Sequence, residues 1–256
     1  MQLSVVLICW NSLPYLREAL ASLQETLMVA TDAEIIIIDN GSTDGTDTYV
    51  THHYPQVTYQ RLPVNRGVAY ARNRGIEQSH GKYVWLLDDD TIPNSTALKA
   101  MLDYMNEHTQ YGICGCRLLN SMGETQMSYK TYPGLWVKIE NVLHTLLHRN
   151  KPARDPYKQQ LEEGKPFEPT YIIGACQLIR REVINEIGLL DEKIFYGPED
   201  ADYCIRAYKK GWHIAYLPQV SITHHWKRIT NRNLFSPIAR RHTAALIYFY
   251  CKHRKL

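Results

Sequence analysis

No apolar run in this chain of 256 residues approaches the ~20 residues that a membrane-spanning helix needs. The opening residues, Met1-Gln2-Leu3-Ser4, carry no basic region, and Asn11 soon interrupts the apolar stretch behind them. A secretory leader is therefore not expected, and the expected compartment is the cytosol. No G-x-G-x-x-G follows any run that reads as a strand, which disfavours a dinucleotide-binding oxidoreductase. The six cysteines match neither a zinc motif nor a thioredoxin-type motif; only Cys114 and Cys116 are close, and buried reduced thiols are expected. A formal net charge of +3 is too small to argue for nucleic acid as a partner. Internal repeats and low-complexity tracts are also absent. What remains is an ordinary globular composition, 45% hydrophobic and 21% charged, in a chain long enough for one large α/β domain.

The stretch Tyr83-Val84-Trp85-Leu86-Leu87-Asp88-Asp89-Asp90-Thr91-Ile92-Pro93 stands out. An apolar run this short, bounded by turn residues, reads as a strand buried on both faces. It presents three acids at one edge of a sheet, where ligands of open α/β sheets bind. Clustered carboxylates repel one another and call for a cation, and a hard divalent ion such as Mg²⁺ typically arrives with phosphates. A solvated acidic loop is the plainer alternative.

Around this stretch, strands are expected at 3–9, 34–38, 57–62, 82–87 and 112–118, with helices between them. Ser12 as N-cap and Pro14 in the first turn start the first helix. This alternation is the signature of a mostly parallel sheet covered on both faces. Asp39 ends the second strand, where it can accept from a ligand's N–H or close an Asx-turn. Arg66, Arg72 and Arg74, around Asn65 and Gly67, are placed to approach phosphate or to be solvated helix charges. An amphipathic helix is expected over Leu135 to Leu147, and a polar, mobile connection from Arg149 to Glu168. Regularity returns at 170–179, with a break at Gly174-Ala175. Glu199-Asp200-Ala201-Asp202 opens a later helix, and short strands are expected at 213–216 and 220–223. The basic, aromatic tail from Pro237 is a helix that packs on the domain or rests on an anionic membrane.

Taken in order, these stretches resemble the inverting glycosyltransferases of family 2, with their GT-A fold. The resemblance rests on Ser4 to Asn11, Ile38 to Thr46, and Asn65-Arg66-Gly67 with Arg72-Asn73 and Gly75. It continues through Leu87 to Asp90 with Pro93, Gly174-Ala175 with Arg180-Arg181, Gly188 to Glu192, Glu199 to Asp202 with Arg206 and Gly211, and His224. The rhamnosyltransferase-like bacterial enzymes are the most similar subgroup.

The resemblance implies a nucleotide-sugar-binding part over 1–118, a variable insertion over 119–169, an acceptor-binding part over 170–235 and a basic helix over 236–256. It implies that Asn11, Asp39, Asn65, Gly67, Arg72, Asp88 and Asp89 hold the donor. Asp39 would take the N3–H of uracil or thymine, favouring a UDP- or dTDP-sugar, and Asp88 the ribose hydroxyls; Asp89 has no role of its own. Asp90 would bind Mg²⁺ or Mn²⁺ on the donor diphosphate, with His224 or its neighbour His225 as a further ligand. Asp200 would be the general base toward a saccharide or lipid-linked saccharide acceptor of the bacterial envelope, with Asp202 competing for that role. Association with the inner face of the cytoplasmic membrane would follow from the tail. A sugar nucleotidyltransferase or a catalytically inactive nucleotide- or glycan-binding module is the alternative. The former expects a glycine-rich loop after the first strand, where this chain has Trp10-Asn11-Ser12-Leu13-Pro14. The presence of Asp39, Asp90 and Asp200 together argues against the latter.

Overall fold

A computed structural model describes residues 1–29, 32–131, 155–225 and 237–254. The expected strands form in order as β1 (Leu3–Cys9), β2 (Ala33–Asp39), β3 (Thr58–Arg61), β4 (Tyr83–Asp88) and β6 (Tyr111–Leu119), with an unexpected two-residue strand, β5 (Thr91–Ile92), between the last two. Their helices are α1 (Leu13–Thr26), α2 (Thr46–His53), α3 (Val68–Gln78) and α4 (Ser95–Glu107). Then come β7 (Thr125–Gln126), β8 (Tyr129–Lys130), α5 (Lys158–Glu163), β9 (Tyr171–Ile172), β10 (Cys176–Arg180) and α6 (Arg181–Ile187). The chain closes with α7 (Glu199–Lys209), β11 (His213–His224) and α8 (Pro237–Lys252).

The main sheet runs β3-β2-β1-β4-β10-β6-β11-β5, with β7 on β6. The four strands at its β3 side are mutually parallel, as are β6 and β11; β10 enters antiparallel between β4 and β6. Its apolar strands bury both faces. Leu3, Val5 and Leu7 face α1 and α4 residues such as Leu16, Leu20, Leu98 and Met101. Val6 and Ile8 face the opposite layer, with Ala69 and Ile76 of α3, Val183 of α6 and Tyr203 of α7. Two continuous cores with period-2 alternation explain why the strands read as unbroken hydrophobic runs.

Three expectations change. The two short strands at 213–216 and 220–223 are one strand, β11, whose register against β6 shifts between Leu217 and Ser221. Pro218 lacks an N–H and interrupts the ladder without ending the strand. Ser12 sits at the α1 N-cap but makes no capping bond. Its hydroxyl donates to Asp89 Oδ2, while Asp44 Oδ2 accepts from Leu13 N. The connection read as polar and mobile contains α5 over its described part, and Tyr157 and Phe167 stack beside Tyr129 and Tyr216. The helix expected over Leu135 to Leu147 lies outside the described residues.

The cysteines are free thiols, buried except for Cys251. Among the described residues, no helix is long and apolar enough to cross a membrane. The tail packs as α8. Ala245 and Phe249 are buried, and Lys252 and His253 lie 2.7 and 2.8 Å from Asp202 Oδ1.

Candidate active site

The C-terminal ends of β1 and β4, the β9–β10 turn, the loop before α7, the end of β11 and one residue of α8 surround a cavity of about 390 Å³. Asp88, Asp90 and His224 lie on one side of it. Their ligand-capable atoms fall within 4.8 Å of one another. The short strand β5 explains how they meet. A turn after Asp88 lets Thr91–Ile92 pair antiparallel with the end of β11, Thr91 opposite His224. Asp90 and His224, 134 positions apart in sequence, are thereby brought to 3.4 Å (Oδ1 to Nε2).

The partners of His224 select which nitrogen can bind a cation. Nδ1 lies 2.8 Å from Gln126 Oε1, which can only accept, so Nδ1 carries a proton and Nε2, facing Asp90, is the nitrogen that would give up its proton to a cation. Gln126 Nε2 also donates to the His224 carbonyl at 2.7 Å, fixing both ends of the amide. Burial alone would lower the His224 pKa, but the Asp90 carboxylate overrides it and the pKa is raised. Two carboxylates and one oriented imidazole form a donor set suited to a divalent cation, with the outer partner that metal-binding histidines require. His225 turns elsewhere: its ring contacts Glu18 and Ser121, and only its backbone N–H reaches the Asp90 carbonyl.

On the other side of the cavity, Asp200 begins α7. Oδ2 accepts from Gly174 N at 3.0 Å and Oδ1 from Ala201 N at 2.7 Å. Burial pushes its carboxyl above the usual range, against those N–H groups and the Arg72 charge. A carboxylate so held still has lone pairs free and a raised proton affinity, which suits a general base. Asp202 does not line the cavity. It is fully buried, ion-paired with Arg206 and Lys252 and hydrogen-bonded to His253 Nε2, so it ties α8 to α7.

Arg72 joins the two sides. Nη2 donates to Asp88 Oδ1 at 2.7 Å and to the Gly174 carbonyl at 2.8 Å, and Nη1 lies 3.3 Å from Glu199 Oε1. Gly174 has to be glycine, because a Cβ there would stand 2.2 Å from Arg72 Nη1. Burial first, and then the neighbouring Asp200, push the Glu199 carboxyl up to about 7, with Arg72 opposing.

The remaining expected residues divide. Asn65 and Gly67 line the cavity, and Asn65 Oδ1 accepts from Gly67 N and Asn40 Nδ2. Asp89 also reaches the wall, but its carboxylate turns back onto Trp10 N and the Ser12 hydroxyl, fastening the β1–α1 loop. Asp39 and Asn11 are not brought to it. Asp39 is fully buried, accepting from Ser42 N and the Tyr59 hydroxyl, so it closes an Asx-type turn. Asn11 Oδ1 accepts from Thr43 N, joining two loops. Of the three arginines, Arg74 pairs with Glu77 and Glu192, Arg72 is buried, and Arg66 is exposed.

Gln126, Tyr196, Glu199 and His242 carry no role in the sequence pattern alone. Gln126 lies in a stretch without periodicity, and only the fold puts it behind His224. Tyr196, whose hydroxyl is pushed up to about 12 by burial and the surrounding acids, and His242 of α8 line the cavity from segments distant in sequence. Two aromatics ahead of the acid motif were a signal for the first; nothing marked the second.

Against known proteins, the chain matches the family model "Glycosyl transferase family 2" over residues 4–188. It is 29% identical over 266 aligned positions to the N-acetylglucosaminyl-diphospho-decaprenol L-rhamnosyltransferase of Mycobacterium tuberculosis, covering 98% of this chain and 85% of that protein. It is 26% identical to the poly(ribitol-phosphate) beta-N-acetylglucosaminyltransferase TarS of Staphylococcus aureus, over 77% of this chain and 35% of that one. Among solved structures, TarS 1–349 in complex with UDP-GlcNAc superposes with a TM-score of 0.67 at 20% identity, covering 98% of this chain and 66% of the other. The mannosyltransferase PcManGT from Pyrobaculum calidifontis, in complex with GDP-Man and Mn²⁺, gives 0.66 at 17% identity, over 100% and 64% of the two chains.

Proposed function

The chain belongs to glycosyl transferase family 2 and has the GT-A fold, and from that premise we propose what it transfers and how. The donor is a nucleoside-diphosphate sugar, with UDP or dTDP favoured, and the acceptor is a saccharide or lipid-linked saccharide of bacterial envelope assembly. The relatives support this reading through the UDP-GlcNAc of the TarS complex and the envelope acceptors in their names. The observation that carries it is a single cavity with a cation-type donor set on one side and a hydrogen-bonded, proton-seeking carboxylate on the other.

In this reading Asp88, Asp90 and His224 would hold Mg²⁺ or Mn²⁺, the latter favoured by the imidazole. The ion supplies Lewis-acid neutralisation of the leaving diphosphate. Asn40, Asn65 and Gly67 receive the nucleotide on the cavity wall, while Asp39 and Asn11 act through the loops they close. Asp200 takes the proton of the acceptor hydroxyl as that oxygen attacks the anomeric carbon. The bond from that carbon to the nucleotide oxygen breaks, and its electron pair leaves with the nucleoside diphosphate. One displacement from the face opposite the leaving group inverts the anomeric centre. Arg72 keeps Asp88 and Glu199 fixed across the cavity. A lipid-linked acceptor would bring the protein to the inner face of the cytoplasmic membrane. The outward stripe of α8, Arg240, Ala244, Ile247, Cys251 and Arg254, would meet that surface.

Asp200→Asn tests the assignment. With a nucleotide-sugar panel and a matched acceptor, kcat is expected to fall by ~10²–10⁴ while UDP affinity is kept. Transfer at the parent rate would place the base elsewhere.

A further inference from the structure

A second concavity, of about 430 Å³, adjoins the cavity at Asn65 and Phe195, and its wall includes Arg66, Tyr70, Glu192 and Arg241. Two arginines face it in the same way. The Arg66 guanidinium lies over the Tyr70 ring at 4.6 Å, and that of Arg241 over the Phe195 ring at 4.2 Å. Stacking fixes each guanidinium plane and leaves its N–H edge for an oxyanion, the arrangement in which arginine binds phosphate. Neither arginine has an ion-pair partner among the described residues. The groove's one acid there, Glu192, is already held by Arg74 Nη2 at 3.2 Å and Asn73 Nδ2 at 3.0 Å.

The groove is also built rather than incidental. Gly67 has φ +91°, and a Cβ there would lie 2.4 Å from the Phe195 carbonyl, which in turn accepts from Val68 N at 2.8 Å. Arg66 N donates to the buried Asn40 Oδ1 at 2.8 Å. Two loops are thereby stitched together, and α8 lays Arg241 across the seam. None of Asp88, Asp90 or His224 lines this groove. Its walls are the β3–α3 loop and first turn of α3 on one side and, on the other, α8 and the loop that runs into Asp200.

The geometry points to a second diphosphate site beside the cavity, between the β3–α3 loop, the loop that runs into Asp200 and α8: Arg66 and Arg241 bind the phosphate groups of an acceptor carried on an isoprenyl diphosphate. This rests on the proposed function, which puts the donor diphosphate at the Asp88, Asp90 and His224 cluster and the acceptor hydroxyl at Asp200. The same oxyanion chemistry could come from phospholipid headgroups, so the test separates the two sources.

Geranyl diphosphate is titrated into the full chain by calorimetry with UDP and Mn²⁺ saturating, so that the first diphosphate position is filled. Binding is expected, and Arg66→Gln with Arg241→Gln should weaken it at least tenfold with UDP affinity unchanged. Arg240→Gln, on the same helix outside the groove, should leave it intact. No binding to the parent, or equal binding to the double variant, would overturn the proposal. So would sedimentation with phosphatidylglycerol vesicles that needs the two arginines while geranyl diphosphate fails to bind, since that assigns the groove to headgroups. Failure of UDP to bind would instead refute the proposed function, and it is read separately in the same experiment.

Discussion

Replacing Glu199 by glutamine isolates the buried charge that the cavity carries. Glu199 is 6% exposed, and its Oε1 lies 3.3 Å from Arg72 Nη1 while Oε2 has no hydrogen-bond partner among the described residues. Burial and the adjacent Asp200 raise its carboxyl from 4.5 to about 7. An acid raised in this way binds its proton more tightly in the folded state. Below pH 4.5 it is protonated folded or unfolded, and folding is undisturbed. As pH rises from there to about 7, the unfolded chain ionises first, and stability falls until the folded group ionises too. At 1.36 kcal/mol per unit, that displacement is worth on the order of 3 kcal/mol. In a domain of this size it corresponds to a drop of roughly 6–10 °C in melting temperature. Thermal unfolding followed by circular dichroism, in chelator-treated buffers from pH 4.5 to 8, would compare parent and Glu199→Gln. The parent is expected to lose stability with rising pH by about that much more than the variant. Parallel curves would contradict this, because they would mean that Arg72 fully offsets the burial of the charge.

Other outcomes follow from the same contacts. Gln126→Leu removes the acceptor that orients His224 and should weaken Mn²⁺ binding by about 10–100-fold in a calorimetric titration; unchanged affinity would show that the ring needs no support. Asp202→Asn leaves Arg206 and Lys252 without their buried carboxylate and should cost about 3–5 kcal/mol in urea unfolding, with kcat retained at temperatures where the fold persists. Loss of kcat without loss of stability would reverse the roles given to Asp200 and Asp202.

The strands and their acids were legible because the signals are local. Tyr83 to Leu87 is buried on both faces, and the carboxylates that follow stand at its C-terminal end. Asp200 and Asp202 could be separated only by tertiary structure. Both start the same helix, but one faces the cavity and the other meets Lys252 and His253 of α8. The choice of His224 over His225 likewise depends on β5, a strand of two residues with no sequence signature, pairing with β11. Asp39 and Asp89 show the converse. A carboxylate at a strand end next to a ligand cavity can be used to fold the loop, and nearby N–H and hydroxyl donors decided that here. The second groove was invisible in sequence because Arg66 and Arg241 come from opposite ends of the chain.

Asp90, with Asp88 and His224, would hold the cation on which binding of the donor's diphosphate depends. Calorimetric titration of UDP with Mn²⁺ present and after chelation, on the parent and on Asp90→Asn, tests it most directly. Binding to the parent is expected to depend on Mn²⁺ and to be lost, with that dependence, in the variant. Equal UDP affinity with and without the ion would contradict it.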